Sequence, residues 1–386
     1  MNGISSDIGS SGGKLPSLRI AVASPAPTAE TFIQAHIDRL STVELVLSDG
    51  ELPTRSSDGS VLVKDGIARG LDLAMGTILK RNGQGLIARR IAKLLKEHRI
   101  DVVLAEYGNT AEVMIDACAT AGVPMVAHFH GIDAHGIEYH SRFNGYDRLF
   151  KYASRLVVVS RAMEQRLLAL GAPPEKVIFN CYGVDVDLFK GGDPANAPPH
   201  FAGVGRFVEK KAPHLTILAF HKLLQKVPDA RLTLIGNGRL WEACHQMIKS
   251  LDIVDRVDLP GPKDPLFIAD LMRGSRALVQ HSVVTFNGDS EGTPLAVLEA
   301  MATGIPVIAT RHAGILDAVE HEVHGLLCDP FNVDEMAAHM HRSASNASEA
   351  GSMGASGRAR VQAHYEVGMQ VSRLQQVLID AAGHAG

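Results

Sequence analysis

The sequence predicts an α/β protein of two halves, each a parallel sheet covered by helices, with a cleft between them. Three observations predict it. Short apolar runs of strand length alternate with helical segments along the whole chain, the pattern of sheets buried on both faces. A glycine- and proline-rich stretch at 190–199 (Lys-Gly-Gly-Asp-Pro-Ala-Asn-Ala-Pro-Pro) divides those runs into two sets. The 386 residues, 46% of them hydrophobic, suffice for two sizeable cores.

In the first half the strand-like runs fall at 18–23, 43–47, 102–105, 125–128 and 156–159. Before the third, Leu86, Ile87, Ile91, Leu94 and Leu95 recur at helical spacing and predict a helix over 86–97. The second half restarts at 202–205 and continues at 232–235, 257–259, 277–280 and 307–309. Pro213 followed by Leu215, Leu218, Ala219 and Leu223 predicts a helix after its first strand. A last helix is expected over 365–382. The organisation expected is a flexible tail at 1–16, a first Rossmann-like domain at 17–189, a linker at 190–199, a second Rossmann-like domain at 200–364 and a closing segment at 365–386. Ligands of such sheets sit at the carboxyl ends of the strands, here in the cleft.

Composition narrows the function. A net charge of -4 and a pI near 6.5 argue against a chain whose main task is binding nucleic acid. Cys118, Cys181, Cys244 and Cys328 lack metal-like spacing, so no structural zinc is indicated and a reducing compartment is expected. Residues 1–16 have neither a basic start nor an apolar core, and no apolar stretch reaches the roughly 18–20 residues of a membrane span, so a cytoplasmic location is expected. Lys80, Arg81, Arg89, Arg90, Lys93, Lys96 and Arg99 cluster on and before the helix at 86–97. That stripe suits peripheral contact with anionic lipid, or is simply the solvated face of a helix whose apolar side serves the core.

The most informative stretch is 287–310. Thr293 reads as an N-cap and Pro294 as the first residue of a helix that stops at Gly304, before a buried strand at 307–309. Glu291 lies in the loop before this helix and Glu299 on its second turn. Between them the N–H groups of Gly292, Thr293 and Leu295 stand at the positive end of a helix dipole, a place for phosphate or a sugar hydroxyl. A nucleotide sugar combines both. A nicotinamide dehydrogenase would share the fold class, but its glycine fingerprint is absent: Ser24 and Pro25 follow the first strand, and Gly203-x-Gly205 has Val208 where a third glycine belongs.

The run Asp289-x-Glu291-Gly292, Glu299-Ala300-Met301-Ala302 and Gly304-x-Pro306-Val307 resembles the Glu-x7-Glu motif of family-4 retaining glycosyltransferases, which have the GT-B fold. The resemblance implies that Glu291 contacts the donor sugar and Glu299 the ribose. It also implies that Arg206 and Lys211, a rigid guanidinium and a mobile ammonium after the strand at 202–205, hold the diphosphate. Gly236 and Asn237 would allow close backbone approach to phosphate or ribose, and Lys263 borders the base. His130, in His130-Gly131-x-Asp133, would position the transferred sugar with its backbone carbonyl near the anomeric centre, whereas His128 is expected on the opposite face as core. Thr31 and Phe32, in a loop that resembles the Ser-Glu-Thr-Phe segment of polysaccharide-building members but carries Ala29 in place of its serine, are expected to border the acceptor together with Glu106, Tyr107 and Asp133 from other loops. Ser160-Arg161 matches a position at the cleft floor, and Asp317, beside Leu316, stands near the donor in place of a family glutamate.

The implied chemistry is front-face displacement through an oxocarbenium-like state, with the leaving diphosphate helping to deprotonate the acceptor and no metal or other cofactor required. Asp185-x-Asp187 has the spacing of a metal-binding triplet but lies at the linker. The partners expected are a nucleoside diphosphate sugar, uridine first and guanosine second, and a glycan, lipid-linked or small-molecule acceptor. The alternatives are a GT-B epimerase or phosphorylase, or a non-catalytic nucleotide-sugar binder.

Overall fold

The computed structural model describes residues 18–26, 30–62 and 84–383. The tail at 1–16, Ala29, and Lys80 and Arg81 of the basic stripe lie outside the described residues. The first sheet contains Ile20–Ala23 (β1), Val43–Ser48 (β2), Arg55–Ser56 (β3), Val102–Glu106 (β4), Met125–Phe129 (β5), Arg155–Val158 (β6) and Val177–Phe179 (β7), in the order β3-β2-β1-β4-β5-β6-β7. Only β3 runs antiparallel to its neighbour. The second sheet, wholly parallel, contains His200–Val204 (β8), Arg231–Ile235 (β9), Val257–Asp258 (β10), Ala277–Gln280 (β11), Val307–Thr310 (β12) and Gly325–Cys328 (β13), in the order β10-β9-β8-β11-β12-β13. β1, β4 and β11 are buried along their whole length, as sheets covered on both faces require.

Both sheets change winding direction in the middle, between β1 and β4 and between β8 and β11. The loops leaving these strands splay apart and open a crevice, and the two crevices face each other. Each apolar run read from the sequence is a strand within two residues of its expected ends. β3, β7 and β13 were not anticipated. β3 is two residues long, β7 is a half-buried edge of three, and β13 begins with a glycine that reads as a turn. Gly325 is there for packing: a Cβ on it would stand 2.1 Å from the Val307 carbonyl oxygen of β12.

The helix Gln84–Glu97 buries Ile91, Leu94 and Leu95 and turns Arg89, Lys93 and Lys96 outward. At the other end of the chain, the helix Val367–Gly383 packs Leu374, Leu378 and Ala381 against Ile20, Val22, Leu104, Val126 and Val157 of the first sheet. The last element therefore completes the core of the first half. No described helix is long and apolar enough to cross a membrane. Leu374→Ala is expected to cost about 2–5 kcal/mol, checked by urea unfolding at constant m-value.

Candidate active site in the cleft

The loops after β1, β4, β5, β8 and β11 meet around a cavity of about 400 Å³. From the first half it is lined by Thr31, Phe32, Tyr107, His130 and Gly131; from the second by Arg206, Lys210, Lys211, Asp289, the stretch 291–296 and Glu299. Of the residues singled out from the sequence, His130, Arg206, Lys211, Glu291, Gly292, Thr293, Pro294, Leu295, Glu299, Thr31, Phe32 and Tyr107 thus share one space.

Around the helix start the local reading needs one change. The helix is Leu295–Thr303; Pro294 is its extended N-cap (φ -80°, ψ 98°) and Gly304 closes it in the left-handed region at φ 95°. Thr293 does not cap. Its hydroxyl donates instead to the Val159 carbonyl at 2.5 Å, which ties the helix start to the end of β6 in the other half. Gly292 is held against the same wall: a Cβ on it would stand 2.4 Å from the His130 carbonyl oxygen and 2.8 Å from the Val159 side chain.

Glu291 is buried and ion-paired with Lys211, and Gln280 Nε2 donates to it at 3.3 Å. Burial pushes its carboxyl up, but Lys211 and Lys210 outweigh that and hold it below its ordinary value. Lys210, beside the residue chosen from the sequence, is itself buried, pairs with Asp289 at 2.9 Å and donates to the Ser290 carbonyl at 3.3 Å. Glu299 lies half-buried on the wall with only a weak pull from Lys211, and burial raises its carboxyl to about 7.

Several expected site residues lie outside the cavity lining. Gly236, with φ 135°, would place a Cβ 2.0 Å from the Gly205 carbonyl oxygen, and the Asn237 carbonyl accepts from Phe207 N at 2.9 Å. This turn packs against the loop that carries Arg206, and neither residue lines the cavity. Lys263 is exposed, with its ammonium 5.3 Å from the Phe267 ring, away from the cavity. Asp133 is buried and accepts from the N–H groups of Gly108, His130 and Gly131 at 2.8 to 3.0 Å, so it staples two loops and does not face an acceptor. Glu106 is likewise fully buried, accepting from His36 Nδ1 at 2.7 Å and His130 Nε2 at 2.8 Å. His128 lies on the side of His130, with ring centroids 4.4 Å apart, because residues two apart on a strand share a face. Asp317 accepts from Arg161 N at 2.9 Å and closes the seam between the halves outside the cavity, while Ser160 caps the following helix by accepting from Met163 N. Asp185 turns its carboxylate onto the N–H groups of Asp187 and Leu188.

Tyr182 and His36 were missed. The Tyr182 hydroxyl lies 2.5 Å from His130 Nδ1 and its ring stacks on Phe32 at 4.3 Å. Both lie far along the chain from His130, so neither carries a local signal of this meeting. Tyr107 was expected in place, but not its backbone, which is left-handed at φ 75°, a strained conformation for a non-glycine residue.

Two predictions follow from the electrostatics. Glu299 titrates higher folded than its ordinary 4.5, so its contribution to stability is full below about 4.5 and is lost as pH rises through 7. Over that window the wild type should lose about 1–3 kcal/mol relative to Glu299→Gln, read from urea unfolding at a series of pH values. Lys211→Met leaves Glu291 buried without its partner and should cost about 3 kcal/mol; adding Glu291→Gln should recover part of it, and an additive double variant would refute the coupling.

Residues 54–188 match the family described as Glycosyltransferase Family 4, and residues 188–360 match Glycosyl transferases group 1. Among curated relatives, the amylovoran biosynthesis glycosyltransferase AmsK of Erwinia amylovora is 30% identical over 65% of this chain and 62% of its own length. The putative colanic acid biosynthesis glycosyltransferase WcaL of Escherichia coli is 31% identical over 59% of this chain and 58% of its own. The chain thus spans somewhat less than two thirds of these relatives. Among solved structures, Anabaena Alr3699/HepE in complex with UDP superposes with a TM-score of 0.75 at 20% identity over 94% of this chain and all (100%) of its own. Sucrose-phosphate synthase from Thermosynechococcus elongatus does so with a TM-score of 0.73 at 18% identity, over 94% and 100%. At such identities the likeness speaks for the fold, which is GT-B.

Proposed function

Because its two halves belong to the glycosyltransferase families just named, we propose that this chain transfers a sugar, with retention, from a nucleoside diphosphate donor to a hydroxyl of a glycan, lipid-linked or small-molecule acceptor. The observation that carries this reading is the convergence of Arg206, Lys211, the Leu295 helix start, Glu291 and Glu299 on one cavity. The two cations and the helix dipole suit a diphosphate and the negative charge that grows on it as the glycosidic bond breaks. Glu299, half-protonated near neutral pH, suits the ribose hydroxyls as both donor and acceptor. Glu291 reaches the sugar hydroxyls, and the wall at Thr31, Phe32 and Tyr107 receives the acceptor.

In this reading the acceptor hydroxyl attacks from the face the diphosphate leaves, the leaving phosphate oxygen takes its proton, and Arg206 and Lys211 stabilise the departing charge without a metal. The donor must compete with Glu291 for Lys211, so binding rearranges an existing ion pair instead of filling an uncharged pocket. A uridine donor is the first choice, supported by the UDP held by the Anabaena neighbour, and a polysaccharide under synthesis is the acceptor class suggested by the names of the curated relatives. Exposed Arg89, Lys93, Lys96 and Arg99 give the first half a cationic face suited to anionic lipid, where a lipid-linked acceptor would reside.

Thermal stabilisation across a panel of nucleoside diphosphate sugars identifies the donor, with UDP sugars expected to raise Tm most. NMR of the product is expected to show the anomeric configuration of the donor; an inverted product refutes retention. Glu291→Ala should lower kcat by about 10²- to 10³-fold, and unchanged turnover would remove Glu291 from the site.

A further inference from the structure

At the cavity wall, where His130 and Tyr182 line the space, and behind it, His36, Glu106, His128, His130 and Tyr182 meet in a buried cluster drawn from separate stretches of the chain. Burial alone would raise the Glu106 carboxyl, but His36, His128 and His130 outweigh it and hold the group well below the usual carboxylate range. An ionised carboxylate can only accept. His36 Nδ1 at 2.7 Å and His130 Nε2 at 2.8 Å therefore both carry protons and donate to it.

The other ring nitrogen of His130, Nδ1, is engaged with the Tyr182 hydroxyl at 2.5 Å, and the ring is enclosed by Phe32 and Tyr107 at centroid distances of 4.7 and 4.6 Å. Both polar atoms of the imidazole are committed within the protein. What His130 presents toward the helix start is its backbone carbonyl, which lies directly against Gly292.

We propose that Glu106 is a positioning residue: together with Tyr182 it clamps the His130 imidazole from its two nitrogens and thereby fixes the His130 carbonyl at the donor site. The inference rests on reading the cavity as a sugar-donor site. A divalent metal is the competing use of the same carboxylate, since His36, Glu106 and His128 offer ligand atoms within 4.8 Å of one another. The hydrogen-bonded clamp fits better. Metal-bound imidazoles donate their second N–H to an acceptor, whereas His128 Nε2 is buried without a partner among the described residues.

Long-range ¹H–¹⁵N NMR on histidine-labelled wild type tests the clamp directly, with the His130 signals assigned by their loss in His130→Asn. A proton on Nε2 is expected, and a ring protonated on Nδ1 alone overturns the proposal. In Glu106→Gln the amide oxygen can serve one imidazole while its NH₂ opposes the other. The expected result is a kcat lower by about 10- to 100-fold, a donor KM within about threefold, and unchanged UDP affinity by calorimetry. A parallel fall of kcat, UDP affinity and Tm would mark a merely structural residue and overturn the proposal, as would a stoichiometric divalent metal in the wild type as isolated. Should Glu106→Gln fail to fold, Tyr182→Phe carries the same kinetic split. A wild type that binds no nucleoside diphosphate would refute the donor-site reading, while the ring protonation still decides the clamp.

Discussion

The site depends on one steric constraint, the contact of two backbone segments that belong to different halves of the molecule. The His130 carbonyl meets Gly292, and Gly131 lies so near the Ser290 carbonyl oxygen that a Cβ would stand 3.1 Å from it. Gly314 supports the arrangement from behind, where a Cβ would stand 2.1 Å from the Gly292 carbonyl oxygen. Any side chain at Gly292 or Gly314 would push the loops apart by more than a flexible neighbour could absorb. Once the loops touch, the Thr293 hydroxyl reaches Val159 and the Asp317 carboxylate reaches Arg161 N, so two polar contacts seal what three glycines allow.

The charges of the site are arranged before any ligand enters. Lys210 is committed to Asp289 and Lys211 to Glu291, and both pairs are largely out of water, where rearrangement is expensive and geometry is correspondingly well kept. Arg206 differs in being exposed, which leaves a mobile cation at the rim and fixed ones inside. On the facing wall, Asp133 and Glu106 turn their carboxylates onto backbone N–H groups and imidazoles, which leaves Phe32 and Tyr107 beside Glu30 and Thr31 toward the cavity.

Much of this was legible in the sequence where function is written in contiguous residues. The Glu291–Glu299 helix start, the Arg206–Lys211 run and His130-Gly131 are local patterns, and each lies on the cavity. The parallel sheets were legible for the same reason, since strands buried on both faces are continuous apolar runs. What escaped depends on meetings across the fold. Thr293 satisfies every rule for an N-cap, and only the proximity of Val159 diverts its hydroxyl. Gly236 reads as ligand-facing from its glycine turn alone, and the fold packs that turn on the Arg206 loop. Glu106 ends its strand and Asp133 follows one, places where acids commonly face ligands, yet tertiary partners draw both inward. The placement of His128 failed on a simpler ground, the two-residue period of a strand.

The two halves are joined by two passages of chain that run side by side. Val184 N donates to the Tyr365 carbonyl at 2.8 Å and Val367 N to the Val184 carbonyl at 3.0 Å, while Gly183 lies so close that a Cβ would stand 2.4 Å from Val367 Cα. A single tether would let one half swivel about it. Paired and hydrogen-bonded, the two passages form a double tether, which resists a twist of one half against the other better than one strand of chain could.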